Sequence, residues 1–276
     1  MNNVVVRSIS GVVFILAMLA CLMFNKFLFA GLIIFIMSVM LLEFDHLTMG
    51  NSDTFSKVLA IIAAIFLFGL LFATASYHIP IRFVAFAMVP IFIVMINSLY
   101  VKDKDEYGKF SNIYTGLLYI AVPIALSNLI AFDKAGNFSG NLLLCFFIII
   151  WCSDVGAFAF GISLGKIFPQ KLFPSVSPKK TRIGFIVGLV ISVLAAFALY
   201  EFGILKFPLI HCLILSFIMS VTGVYGDLFE SQWKRVYGVK DSGKIIPGHG
   251  GFLDRFDSTL MAMPFGAIYL AIFDLL

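Results

Sequence analysis

Charge is scarce in this chain. Only 12% of its 276 residues are Asp, Glu, Lys or Arg, against about 25% in a soluble domain, which excludes water as its main solvent. Cysteine is sparse too. Cys21, Cys145, Cys152 and Cys212 sit inside apolar runs with no CxxC or Cys/His spacing, which excludes a zinc site or disulfide framework and leaves reduced core thiols. No internal repeat is present, and no segment suits a separate soluble domain. The apolar stretch after Arg7 lacks a small-residue cleavage pattern and another span follows almost at once, so it reads as an uncleaved first helix.

What is present in abundance is apolar sequence, 61% of the chain. Crossing a bilayer takes roughly 17 to 25 apolar residues, and hydropathy predicts spans near 9–24, 27–45, 57–75, 81–98, 113–131, 141–160, 183–201, 207–225 and 259–275. The expected fold is all-α and polytopic, with about nine transmembrane helices in one continuous membrane domain. Residues 1–140 supply the N-terminal helices and 141–276 the polar, chemically equipped region. Lys and Arg near span ends favour the cytoplasmic side. Under nine spans, 15 of the 19 basic residues fall on one side, leaving Lys26, Arg82, Lys134 and Lys206 on the other. That puts the N-terminus in the cytoplasm, the C-terminus outside, and both long polar loops, 161–182 and 226–258, on the cytoplasmic face. Glu43, Asp45 and Asp154 lie at the cytoplasmic ends of their spans.

The stretch from Gly226, GDLFESQWKRVYGVKDSGKIIPGHGGFLDRFDS, holds five carboxylates, five cations and a histidine. If its start continues the preceding helix, Asp227, Glu230, Ser231 and Lys234 share one face. Asp254, Asp257 and Ser258 would share a face of a second short helix. Between them, Pro247-Gly248-His249-Gly250-Gly251 forbids regular helix and supplies backbone that can approach a ligand closely. Carboxylates on two elements are the hard oxygen donors that Mg²⁺ takes one or two at a time, completed by phosphate oxygens and water. Neighbouring Lys and Arg suit phosphate. The pattern points to a polyphosphate substrate. A solvated loop obeying the positive-inside rule accounts for the lysines, but not for carboxylates where the sequence turns apolar. His46, His78 and His211 have no ligand spacing, the phenylalanines fit lipid-facing and packing positions, and KDKDEYGK at 102–109 reads as a solvated loop.

Ser231, Lys234-Arg235, Lys240-Asp241, Pro247, His249-Gly250-Gly251, Asp254-Arg255 and Asp257 resemble, in order and spacing, the C-terminal signature of the phosphatidate cytidylyltransferases. Asp154-Val155-Gly156-Ala157-Phe158 and Ser177-Pro178-Lys179-Lys180-Thr181 are similar to that family's Asp-x-Gly-Ala-aromatic and Ser-Pro-x-Lys-Thr elements. The likeness covers about 150–260 well and the first half only through hydropathy. Trp233 replaces a usual aliphatic residue, and Ile183 stands where many members carry glutamate.

The resemblance implies transfer of the cytidylyl group of CTP to phosphatidate, giving CDP-diacylglycerol and pyrophosphate for phospholipid synthesis at the cytoplasmic face of a bacterial-type inner membrane. Under it, Asp227 and Asp254 are expected as primary Mg²⁺ ligands, supported by Asp257 and by Asp241. Lys234, Arg235, Lys240 and Arg255 would contact phosphates. Ser177, Lys180 and Thr181 are placed for CTP or lipid phosphate, and Asp154 to orient a lysine or a second cation. With an already ionised nucleophile a general base has little to do, so His249, with Gly250 and Gly251, is expected to hydrogen-bond phosphate or hold the turn. Expected partners are CTP, phosphatidate and the bilayer, with no nucleic acid; a homodimer is left open, since Gly184 and Gly188 form only a weak GxxxG interface pattern. Rival readings are a CTP-using polyprenol or dolichol kinase and, from another class, a cation-coupled transporter. Polar groups gathered at one face, without a repeat, argue against the transporter.

Overall fold

The computed structural model describes residues 3–50, 53–101, 104–248 and 250–276, and all structural statements concern these. The expected helical segments are all found: α1 (Asn3–Phe24), α2 (Lys26–Met49), α3 (Thr54–Tyr77), a 3₁₀ turn (Ile81–Ala87) leading into α4 (Met88–Ser98), α5 (Lys104–Gly116) passing through a π turn (Leu117–Ala121) into α6 (Val122–Ala131), α7 (Asn141–Ser163), α8 (Arg182–Glu201), α9 (Leu209–Val236) and α10 (Leu253–Ile272). Among the described residues, seven helical stretches are long and apolar enough to cross a membrane: Lys26–Met49, Thr54–Tyr77, Ile81–Ser98, Tyr107–Ala131, Asn141–Lys166, Arg182–Glu201 and Leu209–Val236. The fold is that of a predominantly helical, polytopic integral membrane protein. The last helix, α10, is not among these stretches. The described apolar part of α1 is Ser10–Phe24, and α10 opens with Asp254, Arg255 and Asp257.

Three local features depart from the sequence-based expectation. The polar stretch does not begin a loop at 226, because α9 runs on to Val236, its last turn carrying Lys234 and Arg235 beside the helix's negative end. Asp254 and Asp257 do not occupy a separate short helix; they lie in the first turns of α10, whose apolar length follows directly. The 161–182 segment is not wholly loop: Lys171–Phe173 (β1) pairs antiparallel with Ser177–Thr181 (β2).

The chain forms two compact units, Met1–Ser139 with Val239–Arg255, and Gly140–Gly238 with Phe256–Leu276. In the first, α3 packs on α2, α4 and α6. Phe29 meets Phe68 and Phe138 at ring-centroid distances of 6.2 and 5.4 Å. Polar ties between helices include Asn97 Nδ2 donating to Ser56 Oγ at 2.7 Å and Lys26 Nζ to Ser76 Oγ at 2.8 Å. The π turn precedes Pro123, whose ring would crowd the carbonyl four residues back in a regular helix; widening the turn relieves it.

In the second unit α7, α8 and α9 pack together, and the glycines show how closely. A Cβ on Gly188 would stand 2.7 Å from the Ser153 carbonyl oxygen, and one on Gly184 2.8 Å from that of Ala157. The GxxxG pair is therefore consumed in packing α8 on α7 of the same chain. Ser153 Oγ and Ser220 Oγ join α7 to α9 at 2.7 Å. Gly226 admits the Asp257 carbonyl so closely that any side chain there would overlap it.

Candidate active site

In the second unit, α9 carries Asp227, Glu230, Ser231 and Lys234 on one face, as i, i+3, i+4 and i+7 require. Ser231 Oγ donates to Asp227 Oδ1 at 3.2 Å, and Lys234 pairs with Glu230, which is buried. The hairpin adds Lys180, whose Nζ lies 2.7 Å from Asp227 Oδ2. Arg235 Nε donates to the Val176 carbonyl at 3.3 Å, tying the end of α9 to the hairpin turn. From α10, Asp257 accepts the Ser258 amide at 2.7 Å, while Ser258 Oγ donates to Asp154 Oδ1 of α7 at 3.3 Å. Asp257 lies in the repulsive field of Asp227, Glu230 and Asp154.

Four carboxylates thus crowd together with two lysines, Lys180 and Lys234, among them. That excess of negative charge is costly at the edge of a span, which makes this cluster the candidate site. Among the described residues, no three of His, Cys, Asp and Glu form a ready-made metal cage. Asp227 and Asp257 nevertheless fit Mg²⁺, which keeps water and takes one or two protein carboxylates together with substrate phosphates. Their mutual repulsion is the kind of strain a divalent cation relieves.

The predicted residues of the first unit build a different structure. Ile246 N donates to the Gly250 carbonyl at 2.9 Å, closing a tight turn around Pro247 and Gly248. Gly248 and Gly250 adopt φ of 75° and 90°, where a side chain would be strained. Asp254 anchors this turn. Its Oδ2 accepts the Gly251 amide at 2.8 Å, the Ser242 amide at 3.0 Å and Ser242 Oγ at 3.0 Å. Lys240, Asp241 and Arg255 are exposed. His249 lies outside the described residues.

Of the hairpin residues, Thr181 is buried and its Oγ1 accepts the Gly184 amide at 3.1 Å, capping α8. Ser177 is half-buried opposite Phe173. The structure therefore gathers Asp227, Lys180, Lys234 and Asp257 in one unit with Asp154, and groups Asp254, Gly250 and Gly251 in the other. Sequence reasoning assigned no role to Glu230, Ser258, Ser242 or Glu43. The signal available for Glu43 was a carboxylate at the end of an apolar span.

Helices that span a membrane and bring carboxylates together with lysines at their polar ends define a membrane protein equipped for phosphate chemistry. Residues 5–273 match the cytidylyltransferase family, and the chain belongs to it. It is 41% identical over 182 residues to a phosphatidate cytidylyltransferase of Bacillus subtilis, covering 65% of this chain and 63% of that protein. A phosphatidate cytidylyltransferase of Staphylococcus saprophyticus is 44% identical over 124 residues, 45% of this chain and 46% of the relative. One of Staphylococcus aureus is 31% identical over 255 residues, 90% and 94%.

Proposed function

We propose that this chain transfers the cytidylyl group of CTP to phosphatidate, releasing pyrophosphate. Its membership of the cytidylyltransferase family and the names of its relatives support the reading. The observation that carries it is the cluster in which Lys180 and Lys234 sit among Asp154, Asp227, Glu230 and Asp257. A phosphate oxygen of phosphatidate attacks the α-phosphorus of CTP. The new P–O bond forms as the bond to the β-phosphate breaks, and pyrophosphate leaves with the electron pair. The nucleophile is already an anion, so no serine, cysteine or general base is consumed.

What the chain must supply is charge compensation and position. Lys180, Lys234 and Arg235 in one unit, and Lys240 and Arg255 in the other, are the cations that would neutralise phosphate oxygens. Ser177 orients them, from the hairpin whose end Thr181 fastens to α8. Asp227 and Asp257 in one unit, and Asp254 with Asp241 in support in the other, are the carboxylates that would hold Mg²⁺, which when bound would polarise phosphate oxygens and stabilise the departing pyrophosphate. The lopsided distribution of Lys and Arg supports nine crossings with the N-terminus and the site at the cytoplasmic side, where soluble CTP reaches a lipid phosphate without crossing the bilayer. The test is pyrophosphate release by the purified chain in nanodiscs containing phosphatidate. One pyrophosphate per CTP, dependent on phosphatidate, supports the proposal; CTP turnover that needs a polyprenol instead would replace it.

A further inference from the structure

Glu43 sits on α2, far in sequence from the signature, and is buried with 5% of its surface exposed. Its carboxylate accepts two backbone donors at the start of α10. Phe252 N donates to Oε1 at 3.1 Å and Leu253 N to Oε2 at 2.9 Å. The first amides of a helix have no partner within it, and they carry the positive end of its dipole. Helices usually solve this with a side chain next door; here the cap comes from 209 and 210 residues away.

The loop is shaped to receive that carboxylate. A Cβ on Gly243 or on Gly251 would overlap Glu43, and the one on Gly251 would also meet Ser242 Oγ. Gly251 is not at positive φ, so the requirement for glycine there comes from the approach of Glu43 and Ser242. Ser242 hydrogen-bonds Asp254 through its amide and hydroxyl, and its Oγ lies beside the Glu43 carboxylate against Gly251. Asp254 also takes the Gly251 amide, next in sequence to the amide held by Glu43.

We infer that Glu43 is a positioning residue for Asp254. It clamps the Gly251–Leu253 backbone so that the Asp254 carboxylate is presented in one fixed orientation. The inference rests on Asp254 acting as a Mg²⁺ ligand, as proposed above. Partners that orient a metal ligand typically alter metal affinity or activity by about 10- to 100-fold when removed.

The test uses the full chain in nanodiscs, comparing Glu43→Gln, Glu43→Asp and Gly251→Ala with the parent. Glu43→Gln keeps the size but sets an N–H donor against one of the Phe252 and Leu253 amides, leaving only the other with its acceptor. It should raise the Mg²⁺ concentration for half-maximal cytidylyl transfer about tenfold or more. Amide exchange at 251–253, measured without metal or substrate, should accelerate at least tenfold while α3 and α6 exchange as in the parent. Gly251→Ala should reproduce both effects, and Glu43→Asp should recover part of each because the charge remains. Unchanged exchange at 251–253 in Glu43→Gln and Gly251→Ala overturns the clamp. Faster exchange with an unaltered Mg²⁺ requirement overturns its link to Asp254. Should Glu43→Gln fail to fold, the other two variants decide. A parent chain without cytidylyl transfer would refute the proposed function, while the exchange measurement would still judge the clamp.

Discussion

Replacing Lys180 by Met should have two opposed effects, and their opposition makes the prediction discriminating. Lys180 Nζ lies 2.7 Å from Asp227 Oδ2, with the two side chains 26% and 29% exposed. At that distance Coulomb's law gives about 6 kcal/mol for an effective permittivity of about 20, and about 1.5 kcal/mol in water. Partial exposure and the cost of holding two side chains reduce the net value to about 2 kcal/mol. Methionine preserves the length of the aliphatic stem but removes the charge. Asp227 is then left beside Asp257, Glu230 and Asp154 without its cation, and it should bind a divalent ion more tightly. At about 1.4 kcal/mol per factor of ten, 2 kcal/mol corresponds to about thirtyfold. The same change deprives the substrate phosphates of a cation, so maximal turnover should fall about 10- to 100-fold. The assay is a Mg²⁺ titration of CTP-dependent, phosphatidate-dependent pyrophosphate release at saturating CTP. A lower Mg²⁺ requirement with lower maximal turnover is expected. An unchanged requirement would refute the idea that Lys180 and the metal compete for Asp227.

Two further predictions concern packing and capping. Gly188→Ala places a methyl group 2.7 Å from the Ser153 carbonyl oxygen, and overpacking of this kind costs about 1–3 kcal/mol; thermal unfolding in detergent should show a clearly lowered midpoint, and an unaltered one would contradict the α7–α8 contact. Thr181→Val removes the cap on Gly184 N at a cost of about 1 kcal/mol. Thr181→Ser should retain most of the stability in the same unfolding measurement, and equal loss in both variants would argue against capping.

Much of the helical framework was legible because a bilayer imposes a length and a composition on each crossing, and apolar runs record both. The ends were not legible in the same way. Hydropathy falls at Gly226, yet Glu230, Gln232, Lys234 and Arg235 favour helix, so α9 continues past the apolar limit to Val236. The same blindness hid the start of α10, where Asp254 and Asp257 are helical although polar. The β1–β2 hairpin is too short to show a strand period. Of the site, the i, i+3, i+4, i+7 face of α9 was readable because helical spacing alone defines it. The pairing of Lys180 with Asp227, 47 positions apart, and the reach of Glu43 to Leu253 were not. Such pairings depend on how helices pack, which no local pattern encodes. The glycines at 250 and 251 were visible as flexible backbone, but their reasons differ. One meets a positive φ, the other the approach of a carboxylate from α2.

The central claim is that the bond broken lies between the α- and β-phosphates of CTP. It is tested most directly by supplying the purified chain with phosphatidate, Mg²⁺ and CTP labelled either at the α- or at the γ-phosphate, then separating lipid from aqueous products. The account predicts α-label in the lipid fraction as CDP-diacylglycerol and γ-label in pyrophosphate. Transfer of the γ-label to lipid, with CDP as the soluble product, would contradict it.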